Sequence, residues 1–333
     1  MATRDFLSTN METVISTKDL SLAKKYIESG EVVAFHTETV YGLGANAFSD
    51  DAVKRIFELK GRPADNPLIV HVHKEYDISP LIDSEPAYTA ALRSAFLPGP
   101  LTMVYPSTGK VSKYVSCGLN TLAIRVPSSS TAQAFLKAVN LPIAAPSANL
   151  SKHVSPVTAR HVYDDFNGKI PLILDGGDCS GGIESTVLDC TGEVPQILRE
   201  GLVTREMIAR IAGDCGVYHM TKGEKPKSPG MAYKHYSPQC RTVYCKTIEE
   251  AIQLYKEEEG TPCILCESAV AAKLGAYNTL DLGGTGEEMA RRLYALLRKG
   301  EKSFTLLIAI EPKTNDGVMA GVLNRLHRAF GVQ

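Results

Sequence analysis

Hydrophobic and polar positions over the first 215 residues alternate in a way that predicts helices interleaved with strands. Thr17 is expected to cap a helix over about 18–29, and Gly30 to end it. Further helices are expected near 50–59 and 86–96, and strands over 32–36, 68–72, 101–105, 122–126, 172–174, 185–188 and 196–198. Because strands cluster at the end of this region, we expect a twisted mixed sheet rather than a purely parallel Rossmann sheet.

The segment 216–240 breaks this pattern. Between residues 222 and 238 it has three prolines, two glycines and four lysines without an apolar period, which is typical of an interdomain linker. A solvated tether is one interpretation. A lid over a neighbouring site, with 228–238 as the covering stretch, is the other, because Met231, Tyr233, His235 and Tyr236 are costly to leave in water.

Four strand–helix units follow the linker. Their expected strands are 242–245, 263–266, 279–282 and 304–310, and their expected helices are 247–258, 268–275, 287–299 and 315–330. Such a succession predicts a small parallel α/β, Rossmann-like domain. We therefore expect three parts: a catalytic domain over 1–215, a linker or lid over 216–240, and a C-terminal α/β domain over 241–333.

Composition is that of an ordinary soluble globular protein, with 333 residues, 44% hydrophobic and 22% charged. A net charge of −1 argues against binding nucleic acid over the whole surface, although local basic patches remain possible. Residues 1–20 lack the apolar core of a signal peptide, and they hold nothing close to the ~20 apolar residues of a membrane span. A cytoplasmic protein without a membrane partner is expected.

The eight cysteines are scattered, which favours reduced thiols over a disulfide framework. Cys263 and Cys266 have the spacing of a zinc or redox pair. They lie on an expected buried strand, however, where residues three apart point to opposite faces. A structural role is therefore favoured over metal binding.

Two polar motifs predict a nucleotide site without a P-loop. Lys60-Gly-Arg62 sets two cations at a helix-to-strand junction, and Ser147 and Asn149 follow about 80 residues later, two positions apart so that both face one way. Arg62 can fork onto phosphate oxygens, and Lys60 acts as a point charge. A solvated helix end is the plain alternative for the two cations.

Other candidates stay open at this level. Arg125 is a charge within an apolar strand and needs a partner, either a substrate carboxylate or a buried Asp or Glu. His71 and His73 share a strand face, but no third metal ligand is in view. Gly283-Gly-Thr-Gly286 can hold an anion before a helix, yet a tight turn is the simpler interpretation.

Six ordered motifs carry a family resemblance. They are Thr37-Glu-Thr-Val-Tyr-Gly-Leu-Gly44, Lys60-x-Arg62-x-x-x-Asn66-Pro-Leu68, Pro146-Ser-Ala-Asn149, Glu184-Ser-Thr186, Arg199-x-Gly201 and Ser228-Pro-Gly-Met-x-Tyr-Lys-His-Tyr-Ser-Pro238. Together they resemble the YrdC-type L-threonylcarbamoyladenylate synthases, in the longer two-domain branch. His36 stands where a proline is common in the family, at a strand end.

The resemblance implies an enzyme that joins L-threonine, bicarbonate or CO2, and ATP into threonylcarbamoyl-AMP and releases pyrophosphate. A partner complex then passes the activated group to an adenosine beside the tRNA anticodon, so contact with tRNA itself is expected to be indirect. The implied N-terminal domain is a YrdC-like sheet curved around a deep concave cavity. Mg²⁺ is the implied cofactor, held through the ATP phosphates and not by protein ligands.

The implied site residues divide into three sets. Threonine contacts fall on Thr39, His71, Arg125, Ala145 and Ser185. ATP contacts fall on Arg62, Asn66, Thr121, Ser147, Ser155, Arg199 and Tyr236, and the catalytic set is Lys60, Arg62, Ser147 and Asn149. The reaction needs no protein nucleophile, since threonine's carbamate attacks the α-phosphorus, and the sequence offers no obvious general base.

Two rival functions remain. A non-catalytic module holding RNA in the basic concave site is one, and it predicts binding that weakens steeply with salt and needs no threonine. A carbamoyl-adenylate former of the hydrogenase-maturation kind is the other. That enzyme is expected to bring acylphosphatase and zinc-finger segments, which the sequence does not contain.

Overall fold

The computed structural model describes residues 12–219, 236–314 and 317–332. Within these residues the chain forms an eleven-stranded sheet followed by a four-stranded sheet. Most of the proposed lid, 220–235, lies outside the described residues, so the lid interpretation stays a prediction. Among the described residues, no helix combines the length and apolar character needed to span a bilayer.

The first sheet and its helices run from residue 14 to residue 217. Its strands are β1 (Val14–Ser16), β2 (Val33–Phe35), β3 (Gly42–Asn46), β4 (Ile69–His71), β5 (Leu101–Pro106), β6 (Thr121–Arg125), β7 (Ile143–Ala144), β8 (Leu172–Leu174), β9 (Thr186–Asp189), β10 (Gln196–Arg199) and β11 (Gly216–Val217). Its helices are α1 (Leu20–Glu28), α2 (Asp50–Lys60), α3 (Tyr88–Phe96), α4 (Lys113–Ser116), α5 (Ser130–Val139), α6 (Ala159–Phe166) and α7 (Arg205–Ala212).

The strand order in this sheet is β1-β8-β2-β3-β7-β4-β6-β5-β9-β10-β11. Strand β2 pairs antiparallel with β3 and parallel with β8, and β5 pairs antiparallel with β6 and parallel with β9. The prediction of a mixed sheet is therefore confirmed. In the centre of the sheet β4 lies between β7 and β6, and β5 lies between β6 and β9. Several of the predicted site residues lie on these strands or next to their ends.

The C-terminal sheet is fully parallel, as predicted. Its strands are β12 (Arg241–Cys245), β13 (Pro262–Cys266), β14 (Thr279–Asp281) and β15 (Leu306–Ile310), in the order β12-β15-β13-β14. Its helices are α8 (Ile248–Glu257), α9 (Ser268–Ala271), α10 (Gly286–Ser303) and α11 (Met319–Phe330). The observed alternation of strands and helices agrees with the Rossmann-like domain expected for this region.

The two cysteines of β13 are buried on opposite faces of the C-terminal sheet. Cys263 packs in the large core that also contains Leu293 and Leu297 of α10, whereas Cys266 packs with Cys245 on the other side. Burial raises the pKa of both Cys263 and Cys266 to about 12, so neither is a thiolate at neutral pH. Their position is that of packing residues, and within the described residues no group of three His, Cys, Asp or Glu could hold a metal.

The start of helix α1 differs from the prediction. Asp19, not Thr17, caps α1, because its carboxylate accepts the backbone N–H of Leu22 at 3.1 Å. Gly30 follows the helix with a φ of +83°, as its stop role requires. At Gly283-Gly-Thr-Gly286, the Glu288 carboxylate accepts the N–H of Gly284 at 2.8 Å. The protein's own carboxylate thus lies where an anion would bind, and the tight-turn interpretation holds.

Several elements of the first sheet were not predicted. Strand β3 contains two glycines among five residues, a composition that strands usually avoid. A Cβ on Gly44 would lie 2.8 Å from Ile143 and 2.9 Å from the Phe35 ring, so close packing explains the glycine. Helix α5 does carry a readable signal, since Ser129 caps it and its buried residues are Ala132, Phe135, Leu136 and Val139.

Candidate active site

A cavity opens beside the central strands of the first sheet, and most of the predicted site residues line it. Polar and cationic side chains line it together with apolar ones, among them Val40 and Ile69. The predicted residues that line it are Thr39, Arg62, His71, Arg125, Ala145, Ser147, Asn149, Ser155, Ser185, Arg199 and Tyr236. Residues from distant parts of the sequence therefore converge in one pocket.

Helix α2 delivers the cationic pair. It ends at Gly61 in the left-handed conformation, with a φ of +59°, which turns the chain so that Arg62 reaches the cavity while Lys60 points into the protein. The Arg62 guanidinium donates to the carbonyl of Asn66 at 2.6 Å and lies over the Phe57 ring. Arg62 is half-buried and remains at the cavity wall. The solvated helix end that the sequence left open does not describe this pair.

Lys60 contacts backbone oxygens rather than solvent. Its ammonium donates to the carbonyls of Ser147 and Asn149 at 2.5 and 2.6 Å, and the residue is 4% exposed. Burial and the neighbouring Arg62 charge hold the pKa of Lys60 well below its usual value. Lys60 thus fixes the backbone of the Ser-x-Asn segment, and a direct contact with phosphate stays a prediction.

The Ser147–Asn149 segment is tied to the sheet on its other side. Its bonds include Ala148 N–H to the carbonyl of Tyr41 at 2.8 Å, and Ser147 forms an isolated antiparallel bridge with Gly42. The Asn149 amide donates to the carbonyls of Leu150 and His153, but its Oδ1 has no partner among the described residues. Because buried polar atoms are normally paired, this oxygen is a candidate ligand contact.

Arg125 has a partner within the protein. Its Nη2 donates to the Glu38 carboxylate at 2.6 Å and its Nη1 to the Thr39 hydroxyl at 2.8 Å. The second Glu38 oxygen accepts the backbone N–H of Ser128 at 3.1 Å. Of the two partners considered for Arg125, the buried carboxylate is therefore present as Glu38. A substrate carboxylate would join this existing ion pair.

His71 is a neutral, buried member of the cavity wall. Burial lowers its pKa to about 3, and the nearby Arg125 charge lowers it in the same direction. Its Nδ1 contacts the carbonyl of Ile69 at 3.2 Å. His73 points elsewhere, with its ring nitrogens near Glu75 and Asn140. The two histidines therefore do not form a metal pair.

Strands β9 and β10 supply the remaining cation and hydroxyl. Arg199 donates through Nε and Nη2 to the carbonyl of Ser185, and the Ser185 hydroxyl lies 2.8 Å from the Thr102 hydroxyl. Burial lowers the pKa of Arg199 from its usual value, although a guanidinium stays charged. Ser155 donates to the Glu184 carboxylate at 2.7 Å, and Tyr236 stacks on Tyr294.

Three predicted residues do not line the cavity in this structure. They are Lys60, described above, Asn66 and Thr121. Asn66 is fully buried and its carboxamide has no hydrogen-bond partner among the described residues. Thr121 begins β6 opposite Pro106, four residues and about 13 Å along the strand from Arg125, so the two side chains lie at opposite ends of the strand. An ATP contact at Thr121 stays a prediction.

Two carboxylates of the cavity region were missing from the predicted set. Glu38 pairs with Arg125, and Glu184 accepts from Ser155 while lining the cavity. Both stand inside the quoted motifs, next to Thr39 and Ser185, so the motifs carried a signal for them. Burial raises the pKa of the Glu184 carboxyl, but the charges of Arg325 and Arg199 outweigh this effect and hold the pKa below its ordinary value. Tyr294 and Arg325, which reach Glu184 from the C-terminal domain, had no signal in the sequence.

Comparisons with known proteins agree with this arrangement. The Sua5_yciO_yrdC family model, described as telomere recombination, matches residues 25–201, and a model described as the threonylcarbamoyl-AMP synthase C-terminal domain matches residues 203–331. A threonylcarbamoyl-AMP synthase of Pyrococcus abyssi is 39% identical, with 97% of each chain covered. One of Bacillus subtilis is 40% identical, with 95% of each chain covered.

A solved structure extends the likeness to three dimensions. The crystal structure of P. abyssi Sua5 complexed with L-threonine matches with a TM-score of 0.88 and 38% identity, over 97% of this chain and 98% of that one. Because both family models and a full-length structure match, the two sheets belong together as one known architecture. The chain belongs to the Sua5/YciO/YrdC family, in the form that carries a threonylcarbamoyl-AMP synthase C-terminal domain.

Proposed function

We propose that the chain makes L-threonylcarbamoyladenylate from L-threonine, bicarbonate or CO2, and ATP, with release of pyrophosphate. One observation carries the proposal: Arg62, Arg125 and Arg199 converge on one cavity together with Ser147 and Asn149. Relatives named threonylcarbamoyl-AMP synthase, identical at 39% and 40% over nearly the whole chain, support the same activity.

The threonine half of the cavity is proposed to centre on Arg125. A guanidinium has five N–H donors. Bonds to Glu38, Thr39 and Gly99 use three of them among the described residues, which leaves two for a carboxylate. The P. abyssi relative binds L-threonine in its crystal structure. Thr39, His71, Ala145 and Ser185, which line the same cavity, are the proposed further contacts.

The nucleotide half is proposed to contain Arg62, Arg199, Ser147, Asn149 and Ser155. ATP carries about four negative charges, and more charge develops on pyrophosphate as it leaves, so fixed cations lower the barrier. The Oδ1 of Asn149 and the whole carboxamide of Asn66 have no partner among the described residues, so they are proposed as further polar contacts for the nucleotide. Magnesium is proposed to enter with the ATP phosphates, because the cavity carboxylates Glu38 and Glu184 are each committed to an arginine.

Chemistry in this site needs positioning more than a protein nucleophile. The threonine amine bonds to the carbon of CO2 and loses a proton to form a carbamate, and water is released where bicarbonate supplies the CO2. A carbamate oxygen then bonds to the α-phosphorus, and the bond from that phosphorus to the oxygen bridging it to the β-phosphate breaks, so that pyrophosphate leaves. Arg62 and Arg199 are proposed to stabilise the departing pyrophosphate. A partner complex is proposed to transfer the activated group to a tRNA adenosine.

A non-catalytic RNA-binding role is not favoured. Arg125 and Arg199 are 4% and 7% exposed, and a duplex or tRNA backbone cannot reach guanidinium groups buried to that degree. RNA-binding surfaces instead present their cations to solvent.

Replacing Arg62 by alanine tests the proposal. The measurement is pyrophosphate release with threonine, bicarbonate, ATP and magnesium together, and with each omitted in turn. Arg62→Ala is expected to lower the rate by roughly 10²-fold or more, the usual scale for one lost electrostatic donor. Arg241→Ala is the matched control, because Arg241 is 68% exposed and pairs with Glu258 on the surface. A wild-type protein that releases pyrophosphate without threonine would contradict the proposed reaction, and near-wild-type turnover of Arg62→Ala would contradict the role of Arg62.

A further inference from the structure

The C-terminal domain contacts the catalytic domain directly behind the nucleotide half of the cavity. A Cβ on Gly182 would lie 2.3 Å from the carbonyl of Ala290, and one on Gly321 would lie 3.2 Å from the backbone of Gly201. Backbone therefore meets backbone across the interface at two points, between helices α10 and α11 and the loops beside β9 and β10. Contacts this close require both surfaces to fit each other accurately.

Arg298 of α10 holds one of the site loops at both ends. The side chain is 3% exposed and forms two parallel bonds to the Asp165 carboxylate, at 3.1 and 2.7 Å. Its Nε and Nη2 also donate to the carbonyl of Val154, at 3.1 and 2.6 Å. Asp165 in turn accepts the backbone N–H of Leu150 at 3.3 Å. Arg298 thus fixes the loop 150–154.

That loop connects two residues of the cavity wall. Asn149 precedes it and Ser155 follows it, and both line the cavity. Among the described residues Arg298 makes no hydrogen bond to Asn149 or Ser155, so the arginine acts on the site through the position of the backbone. The contacts made by Arg298 thus fall on the nucleotide half, away from the cluster around Arg125.

Arg325 of α11 makes a second connection of the same kind. It is fully buried, and it donates to the Glu184 carboxylate at 3.0 Å and to the carbonyls of Glu200 and Glu184 at 2.5 and 3.3 Å. Tyr294 of α10 donates to the same Glu184 oxygen at 2.9 Å. Glu184 adjoins Ser185 and Glu200 adjoins Arg199, so Arg325 ties together two strand ends that carry cavity residues.

From these contacts we propose that Arg298 and Arg325 are positioning residues and that the C-terminal domain completes the nucleotide site of the catalytic domain. The inference rests on the proposed function for its assignment of the ATP half. Arg298 holds the backbone that presents Asn149 and Ser155. Arg325 holds the strand ends that present Arg199 and the proposed threonine contact Ser185. Removing the fork of Arg298 therefore displaces the ATP contacts while the threonine contacts stay in place.

The test compares ATP and threonine binding in two variants of the full chain. Arg298→Lys keeps one positive charge but loses the two parallel bonds to Asp165, because an ammonium lacks the planar fork. Asp165→Asn keeps the shape of the acceptor and removes its charge. Lys302→Ala is the control: Lys302 is 59% exposed and its bond to Asp164 joins the same two helices without touching a site loop.

Binding of a non-hydrolysable ATP analogue and of threonine alone is measured by calorimetry, and pyrophosphate release gives kcat and KM for ATP. Arg298→Lys and Asp165→Asn are expected to lower kcat/KM for ATP and analogue affinity between roughly 10- and 100-fold, the scale of a misplacement near 1 Å. Threonine affinity is expected to stay unchanged in both, and Lys302→Ala is expected to match the wild type in every measurement.

Three outcomes would overturn the inference. Unchanged ATP affinity in both variants would show that the loop does not depend on Arg298. An equal loss of ATP and threonine binding, with a matching fall in the unfolding midpoint, would show a purely structural role. The same loss in Lys302→Ala would show that general domain contact, not this clamp, is what matters. A wild-type protein that binds both ligands but releases no pyrophosphate would refute the proposed function alone. The measured affinities for the ATP analogue and for threonine would still test the positioning role.

Discussion

Replacing Lys60 by methionine separates two roles that this residue can have. The structure commits its ammonium to the carbonyls of Ser147 and Asn149, at 2.5 and 2.6 Å, in a position that is 4% exposed. A residue that holds the segment should affect both folding stability and catalysis. A residue that contacts phosphate should affect catalysis and leave stability nearly unchanged.

The magnitude follows from the two lost bonds. A hydrogen bond from a charged donor contributes about 1.5–3 kcal/mol, so the two bonds together contribute roughly 3–6 kcal/mol. Methionine has a similar shape, and it removes the cost of burying an ammonium, which offsets part of this loss. We expect Lys60→Met to lower the free energy of unfolding by about 2–4 kcal/mol. Turnover should fall by roughly 10²-fold as Ser147 and Asn149 shift.

The assay pairs urea unfolding with pyrophosphate release. Lys54→Met is the control, because Lys54 lies on the same helix α2, is 42% exposed and pairs with Asp51 at the surface. Its unfolding free energy and turnover should match the wild type. An inactive Lys60→Met protein with wild-type stability would refute the loop-holding role and favour the direct phosphate contact. Wild-type values for both properties would refute both roles.

Two further predictions concern the threonine half. Glu38→Gln leaves Arg125 buried without its counter-charge, so the free energy of unfolding should fall by about 3–5 kcal/mol; threonine should then raise the thermal midpoint more than in the wild type, and equal shifts would contradict the pairing. His71 has a pKa lowered from 6.5 to about 3 on folding, so the unfolded state takes up its proton first and stability falls as pH drops below about 6.5. Between pH 7 and pH 5 this effect lowers the free energy of unfolding of the wild type by about 2 kcal/mol. Urea unfolding should show a decline smaller by that amount in His71→Gln over the same pH range. An equal decline in the wild type and in His71→Gln would rule out the shifted pKa.

Local patterns in the sequence predicted most elements of the fold. Helix α2 and strand β8 were found at nearly their observed bounds, because a capped amphipathic stretch and a short apolar run are local signals. Strand β3 was missed because its glycines look like a loop until the Phe35 ring that requires them is known. Helix α5 was overlooked although its cap and period were readable.

The candidate site was predicted in part for the same reason. Motifs named Arg62, Ser147 and Arg199, and all three line the cavity. The hydrogen-bond partners of the site residues were harder to predict. Which carboxylate pairs with Arg125 depends on the pairing of strands that are far apart in the chain. Glu38 is 87 residues from Arg125, and only the assembled sheet brings the two within 2.6 Å. The role of Lys60 was also not predictable from local sequence. Its residue type indicated a charge for the nucleotide, whereas the folded structure buries the ammonium against backbone carbonyls of the 147–149 segment.

The sequence by itself determined the mixed sheet, the parallel C-terminal sheet and the set of charged and polar groups available for chemistry. These features follow from local periodicity and residue type, which every short segment carries with it. The tertiary structure alone decided which carboxylates neutralise Arg125, Arg298 and Arg325, and that two of these arginines reach the catalytic domain from the C-terminal helices. Buried charges must find partners at hydrogen-bond distance, and folding selects those partners from residues 87, 133 and 141 positions away for Arg125, Arg298 and Arg325.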